Sequence, residues 1–246
     1  LKELAIPAQN IVLTSGIGQA AKMPQYLEVN YFNGLHGRSL PPAVGIKLSR
    51  PELTVIAVSG DGCMYGEGGN HFMHTVRKNL DITILVCDNK VYALTKGQSS
   101  PTTDVGRKNA LDPEGNLSNP INPLELALIM GAPFVARGFA GEIEHLKELI
   151  KQAIQFKGTA VVDILQPCVS FNKVNTFQWY KERIYKLEAP AADKYAAIKL
   201  SEEWDGKIPI GVLYRDDSRQ PRMDRTFFQK AVTADMITLL LEKNHR

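Results

Sequence analysis

Two β-branched runs of buried-strand length, TVIAV at residues 54–58 and ITILVC at 82–87, flank a stretch at 69–78 that reads as a helix. Runs that are apolar at nearly every position suit strands covered on both faces. A helix between two such strands is the crossover that a parallel pair requires. The alternation continues along the chain. Residues 11–13 are a short apolar run ending in TSGIG at 14–18, and residues 43–48 after Pro41-Pro42 read as a helix. Asn122-Pro123 opens another helix, with Asn as cap and Pro in the first turn. In residues 142–155 the apolar positions Ile143, Leu146, Leu149, Ile150, Ala153 and Ile154 keep helical spacing. Residues 159–165 form a further strand, residues 208–214 are expected as an edge strand, and the last twenty residues are expected to include a helix. The fold class is therefore α/β, a doubly wound, mainly parallel sheet with helices on both faces.

In such sheets ligands bind beyond the carboxyl ends of the strands. Asp61 follows one predicted strand, Asp88-Asn89 follow the next and Cys168 follows a third, so they are expected along one edge. Asp61 sits between Gly60 and Gly62. Glycine turns at strand ends commonly receive a phosphate through backbone N–H groups, and a bare carboxylate would repel it. A cation between the two resolves the conflict, because Mg²⁺ joins one or two carboxylates to diphosphate through near-octahedral oxygens. Asn89 lies 28 positions after Asp61, and a strand–helix–strand unit takes about 30 residues, so the two side chains can converge. The Val91 carbonyl is a third candidate donor, and Gly60 and Gly62 allow a diphosphate to approach the backbone closely. An Asp that merely closes a glycine turn is the plainer reading. A nicotinamide-binding turn is a rival through the rhythm of Gly60, Gly62 and Gly66, but the acid between the first two glycines opposes it.

Composition bounds the rest. With 246 residues the chain is long enough for one large domain or a domain with an appendage. Its 44% hydrophobic and 22% charged residues are those of an ordinary globular protein. A formal net charge of +3 is too small to argue for nucleic acid, and no Lys/Arg run is interleaved with aromatics. No apolar stretch approaches the roughly 20 residues that span a bilayer. No charged-then-apolar leader points to secretion. Cys63, Cys87 and Cys168 are an odd set without a short-spaced pair, which suits a reducing cytoplasm. The chain begins at Leu1 rather than Met, so residues upstream are expected. Residues 99–118 are polar and rich in Pro, Gly, Asn and Asp, and read as a long loop that closes over a site or meets a partner.

Gly60-Asp61-Gly62 followed by Asp88-Asn89 is similar to the thiamine diphosphate motif. The surroundings are more specific. SGIG at 15–18, LHGRSLPPAVGIKL at 35–48, GGNHF at 68–72, DNKVYALTKGQSSPTT at 88–103 and QPCVSFNKVNT at 166–176 resemble the β subunit of 2-oxoacid:ferredoxin oxidoreductases. The resemblance covers roughly residues 1–187, and TKGQ with NTFQWYKERIYKLE looks most like the branch acting on 2-oxoglutarate or several 2-oxoacids.

The resemblance implies a thiamine diphosphate-binding fold over residues 1–187, with 188–246 as a C-terminal extension packed on the same domain or on a partner. It implies Mg²⁺ on Asp61, Asn89 and the Val91 carbonyl, and a diphosphate along Gly60, Gly62 and Cys63. His36 would lie near the diphosphate or thiazolium end, with Gly16, Ile17, Gly18, Leu94 and Thr95 lining the pocket. Lys22 and Lys96 would face an anionic substrate. The implied reaction is oxidative decarboxylation of a 2-oxoacid, 2-oxoglutarate or pyruvate, to an acyl-coenzyme A with electrons passed to ferredoxin. The implied partners are an α subunit, which carries the Glu that activates the cofactor, and γ and δ subunits. Two positions depart from the pattern. The family's 4Fe–4S cluster takes a cysteine after SGIG, where this chain has Gln19, while Cys168 matches another ligand; a neutral amide replaces thiolate poorly at iron. Ala93 stands where the family has Gly.

Other readings stay open at this point. A split, non-redox thiamine diphosphate decarboxylase needs no cluster, and a non-catalytic scaffold subunit needs no cofactor. His71 and His74, on a predicted helix, and the small hydrophobes Cys63 and Cys87 have simple structural roles available. Lys22 and Lys96 also read as solvated lysines, and Cys168 as a buried thiol.

Overall fold

The computed structural model describes residues 1–204 and 206–222. The expected C-terminal helix lies outside the described residues. The elements run β1 (Ile11–Ser15), β2 (Asn30–Asn33), α1 (Leu40–Ser49), β3 (Thr54–Gly60), α2 (Gly69–Lys78), β4 (Ile82–Asp88) and α3 (Pro123–Ile129). They continue with β5 (Phe134–Phe139), α4 (Ile143–Gln155), β6 (Ala160–Leu165), α5 (Phe177–Lys181), β7 (Ile184–Lys186), α6 (Lys194–Glu202) and β8 (Ile208–Arg215). The strands form one sheet in the order β2-β1-β3-β4-β6-β5-β8-β7. Every pairing is parallel except β5 with β8.

The alternation along each strand divides two cores. In β3, Val55 and Ala57 pack with α1, α2, α3 and α6 through Leu40, Phe72, Val76, Leu124, Leu128 and Ala197. Ile56 and Val58 face the opposite layer with Leu149, Ala153 and Ile154 of α4. Helices thus cover both faces, as the runs buried on every residue require. A smaller third cluster joins Phe139 and Leu165 to Tyr180 of α5 and to Ile208 and Ile210 of β8. The strand expected at the edge, β8, is interior. It pairs antiparallel with β5, and the three-residue β7 lies outside it. Its first six residues are all buried, because both flanks and the α5–α6 cover are occupied. Asn122 caps α3 as expected, its side chain accepting from the Glu125 N–H at 3.2 Å. Among the described residues no helix is long and apolar enough to cross a membrane.

Candidate functional site

The register sets the site. Ser15 pairs with Val58 and Gly60 with Cys87, so β1, β3 and β4 end side by side and their following loops meet. One cleft lies between them. Of the predicted residues, Ile17, Gly18, His36, Gly60, Asp61, Gly62, Cys63, Asn89, Val91, Leu94 and Thr95 line it. Gly16 lies against Cys63 instead; a Cβ there would stand 2.3 Å from its Sγ. Cys63 is buried, and its Sγ accepts from the Gly37 N–H at 3.1 Å. One thiol therefore fixes the turn bearing His36 to the loop after β3. Lys22 and Lys96 are exposed and form no part of the cleft wall. His71 and His74 lie outside it on α2, where His71 contacts Arg38. Cys168 is half-buried beyond β6, outside the cleft, and its Sγ accepts from the Phe171 N–H at 3.4 Å.

The chain leaves β3 through a π-type turn, Gly62–Glu67, that closes with Gly68 N–H on Cys63 O at 3.0 Å. Such turns are rare and favour functional positions. Asp61 starts this turn and is 2% exposed. No ion pair involves it among the described residues. Its side-chain partners are hydroxyls: Ser100 Oγ donates to Oδ2 at 2.6 Å, and Thr102 Oγ1 lies 2.7 Å from the same oxygen, with the Gly62 backbone as a further partner. Thr102 also reaches Asp88 Oδ1 at 2.8 Å, so it bridges the two acids. Burial, and then the neighbouring Asp88 charge, push the Asp61 carboxyl up to about 7, against the pull of the two hydroxyls. Burial and the Asp88 charge likewise hold Asp163 well above the ordinary carboxylate range, although Tyr65 OH donates to it at 2.9 Å. The buried Arg137 guanidinium offsets part of this charge at Asp163 and Asp88 and is not among the charges acting on Asp61.

The loop after β4 is a tight turn. Asp88 accepts from Lys90 N–H at 2.9 Å, Asn89 Oδ1 accepts from Val91 N–H at 3.0 Å, and Lys90 takes φ +58°. The Lys90 side chain turns away to pair with Asp104 at 2.9 Å and to cover the Trp204 ring, so it does not neutralise Asp61. Asn89 Oδ1 keeps a second lone pair for a cation.

The donor set suits a divalent cation bound to diphosphate: one buried carboxylate without a cationic partner, one amide oxygen and one carbonyl, beside glycines. A Cβ on Gly60 would meet only Cys87 O, at 3.8 Å, so that side of the turn is open to the cleft. The cysteines among the described residues do not come together as ligands of one cluster. Cys63 and Cys87 are buried side chains of the cleft wall and Cys168 lies elsewhere. No group of three or more His, Cys, Asp or Glu side chains able to hold a metal lies together among the described residues.

The cleft also holds Ala20, Cys87, Tyr92 and Gln166, none of them expected as ligands, together with Gln19 and Ala93, the two departures from the family pattern. Gln166 follows β6 directly, so the strand-end rule that points to Asp61 and Asn89 points to it as well. Ser100 and Thr102 carry no such signal.

Two family descriptions match the chain. One, "Thiamine pyrophosphate enzyme, C-terminal TPP binding domain", spans residues 13–164. The other, the C-terminal part of the pyruvate ferredoxin oxidoreductase beta chain, spans residues 168–230. The β subunit of 2-oxoacid:ferredoxin oxidoreductase 1 of Aeropyrum pernix is 47% identical over 221 residues, 85% of this chain and 69% of that one. The 2-oxoglutarate synthase subunit KorB of Methanocaldococcus jannaschii is 34% identical over 213 residues, 86% of this chain and 79% of that one. Among solved structures, a 2-oxoglutarate:ferredoxin oxidoreductase from Magnetococcus marinus, with 2-oxoglutarate, coenzyme A and succinyl-CoA bound, superposes with TM-score 0.88 at 34% identity. That match covers 98% of this chain and 84% of the other.

Proposed function

The chain belongs to the β subunits of 2-oxoacid:ferredoxin oxidoreductases and carries their thiamine diphosphate-binding domain, and on that premise we propose that it holds the diphosphate half of the cofactor through Mg²⁺ on Asp61, Asn89 and the Val91 carbonyl. The observation that carries this is the buried Asp61 carboxylate, with no ion-pair partner among the described residues, at a cleft formed by three strand ends. When bound, the cofactor supplies an electron sink for decarboxylation of a 2-oxoacid. The chain's own residues bind and orient. The Gly60 and Gly62 backbone admits the diphosphate, and Cys63 and Gly16 hold that turn against the His36 turn. Ile17, Gly18, Leu94 and Thr95 form the apolar and hydroxyl-bearing wall, and His36 lies at the mouth. Lys22 and Lys96 reach an anionic substrate only from the exposed rim.

The substrate class we infer is a 2-oxoacid of the 2-oxoglutarate type, since relatives in Methanocaldococcus jannaschii and Mycobacterium tuberculosis carry that name. The acyl group then goes to coenzyme A and the electrons to ferredoxin, in a complex with an α partner that completes the cofactor site. A second reading, a non-redox decarboxylase, is favoured by one residue: Gln19 stands where the family places a cluster cysteine. Iron and sulfide content of the anaerobically purified complex separates the two.

The test is thiamine diphosphate titration of the assembled complex with and without Mg²⁺. Asp61→Ala is expected to remove the metal dependence and weaken binding by more than about 100-fold, beyond the range seen for outer partners of a metal site. Unchanged metal-dependent affinity in this variant would overturn Asp61 as ligand.

A further inference from the structure

Residues 99–118 contain no helix or strand, and their polarity suggests a solvated loop. Their first turn is instead buried: Ser100 is 6%, Thr102 2% and Thr103 0% exposed. Ser100 and Thr102 both reach Oδ2 of Asp61, and Thr102 adds Asp88. Thr103 Oγ1 donates to the Lys90 carbonyl at 2.8 Å and accepts from the Ser100 N–H at 2.7 Å. The Lys90 carbonyl lies in the chain between Asn89 and Val91. One short segment thus grips both halves of the donor set, the acid after β3 and the turn after β4.

We propose that Ser100, Thr102 and Thr103 are positioning residues that fix Asp61 and the 89–91 turn for a small divalent cation; this rests on the cation reading above. Both hydroxyls gather on Oδ2 of Asp61, the Gly62 backbone is a further partner of the same carboxyl, and together they fix its orientation. Hydrogen-bonded outer partners of this kind orient a ligating carboxylate, and their loss commonly lowers metal affinity by about 10–100-fold. Pinning also selects by size. Mg²⁺ demands near-ideal octahedral geometry at short distances, whereas Ca²⁺ tolerates longer and irregular ligation. A carboxylate and a turn held from behind by three hydroxyls cannot spread for the larger ion.

The test uses the assembled complex with Mg²⁺ or Ca²⁺ as sole divalent cation and follows thiamine diphosphate binding by near-ultraviolet circular dichroism. Ser100→Ala and Thr102→Val are each expected to weaken Mg²⁺-dependent binding by about tenfold. They should also reduce the preference for Mg²⁺ over Ca²⁺. Ser100→Thr and Thr102→Ser should restore both, a rescue and a selectivity change that a general packing role would not produce. Wild-type affinity and selectivity in Thr102→Val and Ser100→Ala would overturn the proposal. If Thr102→Val does not assemble, Ser100→Ala decides alone. Asp61→Ala separates the levels: metal dependence kept there sinks the cation reading itself, while dependence lost there but intact in the hydroxyl variants sinks only the positioning role.

Discussion

Cys87 and Cys168 show how far one residue type diverges within a single chain. Burial, and then the charges of Asp163, Asp61 and Asp88, push the Cys87 thiol up to about 12, so almost no thiolate forms near neutral pH. Cys63 is buried and already accepts from Gly37 N–H. Cys168 is half-buried beyond β6. Iodoacetamide at neutral pH is therefore expected to label Cys168 and leave Cys87 and Cys63 unmodified, as read by peptide mass spectrometry; prior labelling of Cys87 would contradict the burial of that strand end. The same scale shows what sequence can carry. Asp61 and Asn89 are legible because each follows a recognisable strand. Ser100 and Thr102 are not, because a hydroxyl-rich segment that returns under a site has the same composition as one in water. Lys22 and Lys96 are a different case: their charge suggests an anionic substrate, and both are exposed and stand outside the cleft wall of this chain.

At the level of elements, the strand-to-turn junctions are the tightest parts. A Cβ on Gly62 would stand 2.3 Å from the Tyr92 ring, and one on Gly37, at φ +66°, 2.5 Å from the Glu67 backbone. The two differ in kind. Tyr92 is a side chain that can be removed, and the Glu67 backbone is not. Gly62→Ala is expected to destabilise by ~1–3 kcal/mol, the usual range for overpacking. Adding Tyr92→Ala should relieve much of that, so that the double variant melts above the sum of the singles. Additive losses in thermal unfolding would show that the clash is not with Tyr92. Long elements with strong periodicity are legible: residues 142–155 read as a helix, and α4 is Ile143–Gln155. β2 and β7 escape such a reading, since Asn30–Asn33 is exposed throughout and Ile184–Lys186 has only three residues, leaving no apolar run. β8 is legible as a strand, but its place in the sheet is not. An apolar strand does not announce that three more residues will pair outside it.

For the molecule as a whole, large apolar side chains outside the cleft lining are left in water, among them Tyr26, Leu35 and Leu117, which are 81%, 73% and 89% exposed. Exposed apolar side chains of this size are compatible with contact to another polypeptide, as membership of a family of β subunits implies. The purified chain alone is expected to show no 2-oxoacid decarboxylation, with activity appearing only on addition of the α partner; robust turnover by the single chain would refute a shared site. The parallel architecture is legible because β1 to β6 all run the same way and are joined through crossovers, and only β7 and β8 are reversed.

The strand order has a further consequence while the chain is being made. β2, β1, β3 and β4 are neighbours, and all precede residue 89. β5 has only β6 and β8 beside it, and both come later in sequence. Its six residues, buried throughout in the finished protein, emerge from the ribosome before anything they pair with. A nascent chain at that stage holds half a sheet able to close and one sticky strand without a neighbour, the condition in which unfinished chains attract chaperones or each other. Translation that stalls between β5 and β6 should therefore be more damaging than a stall before β5. Asp61 and Asn89 belong to the half made first, and Gln166 to the half that arrives after the exposed interval has ended.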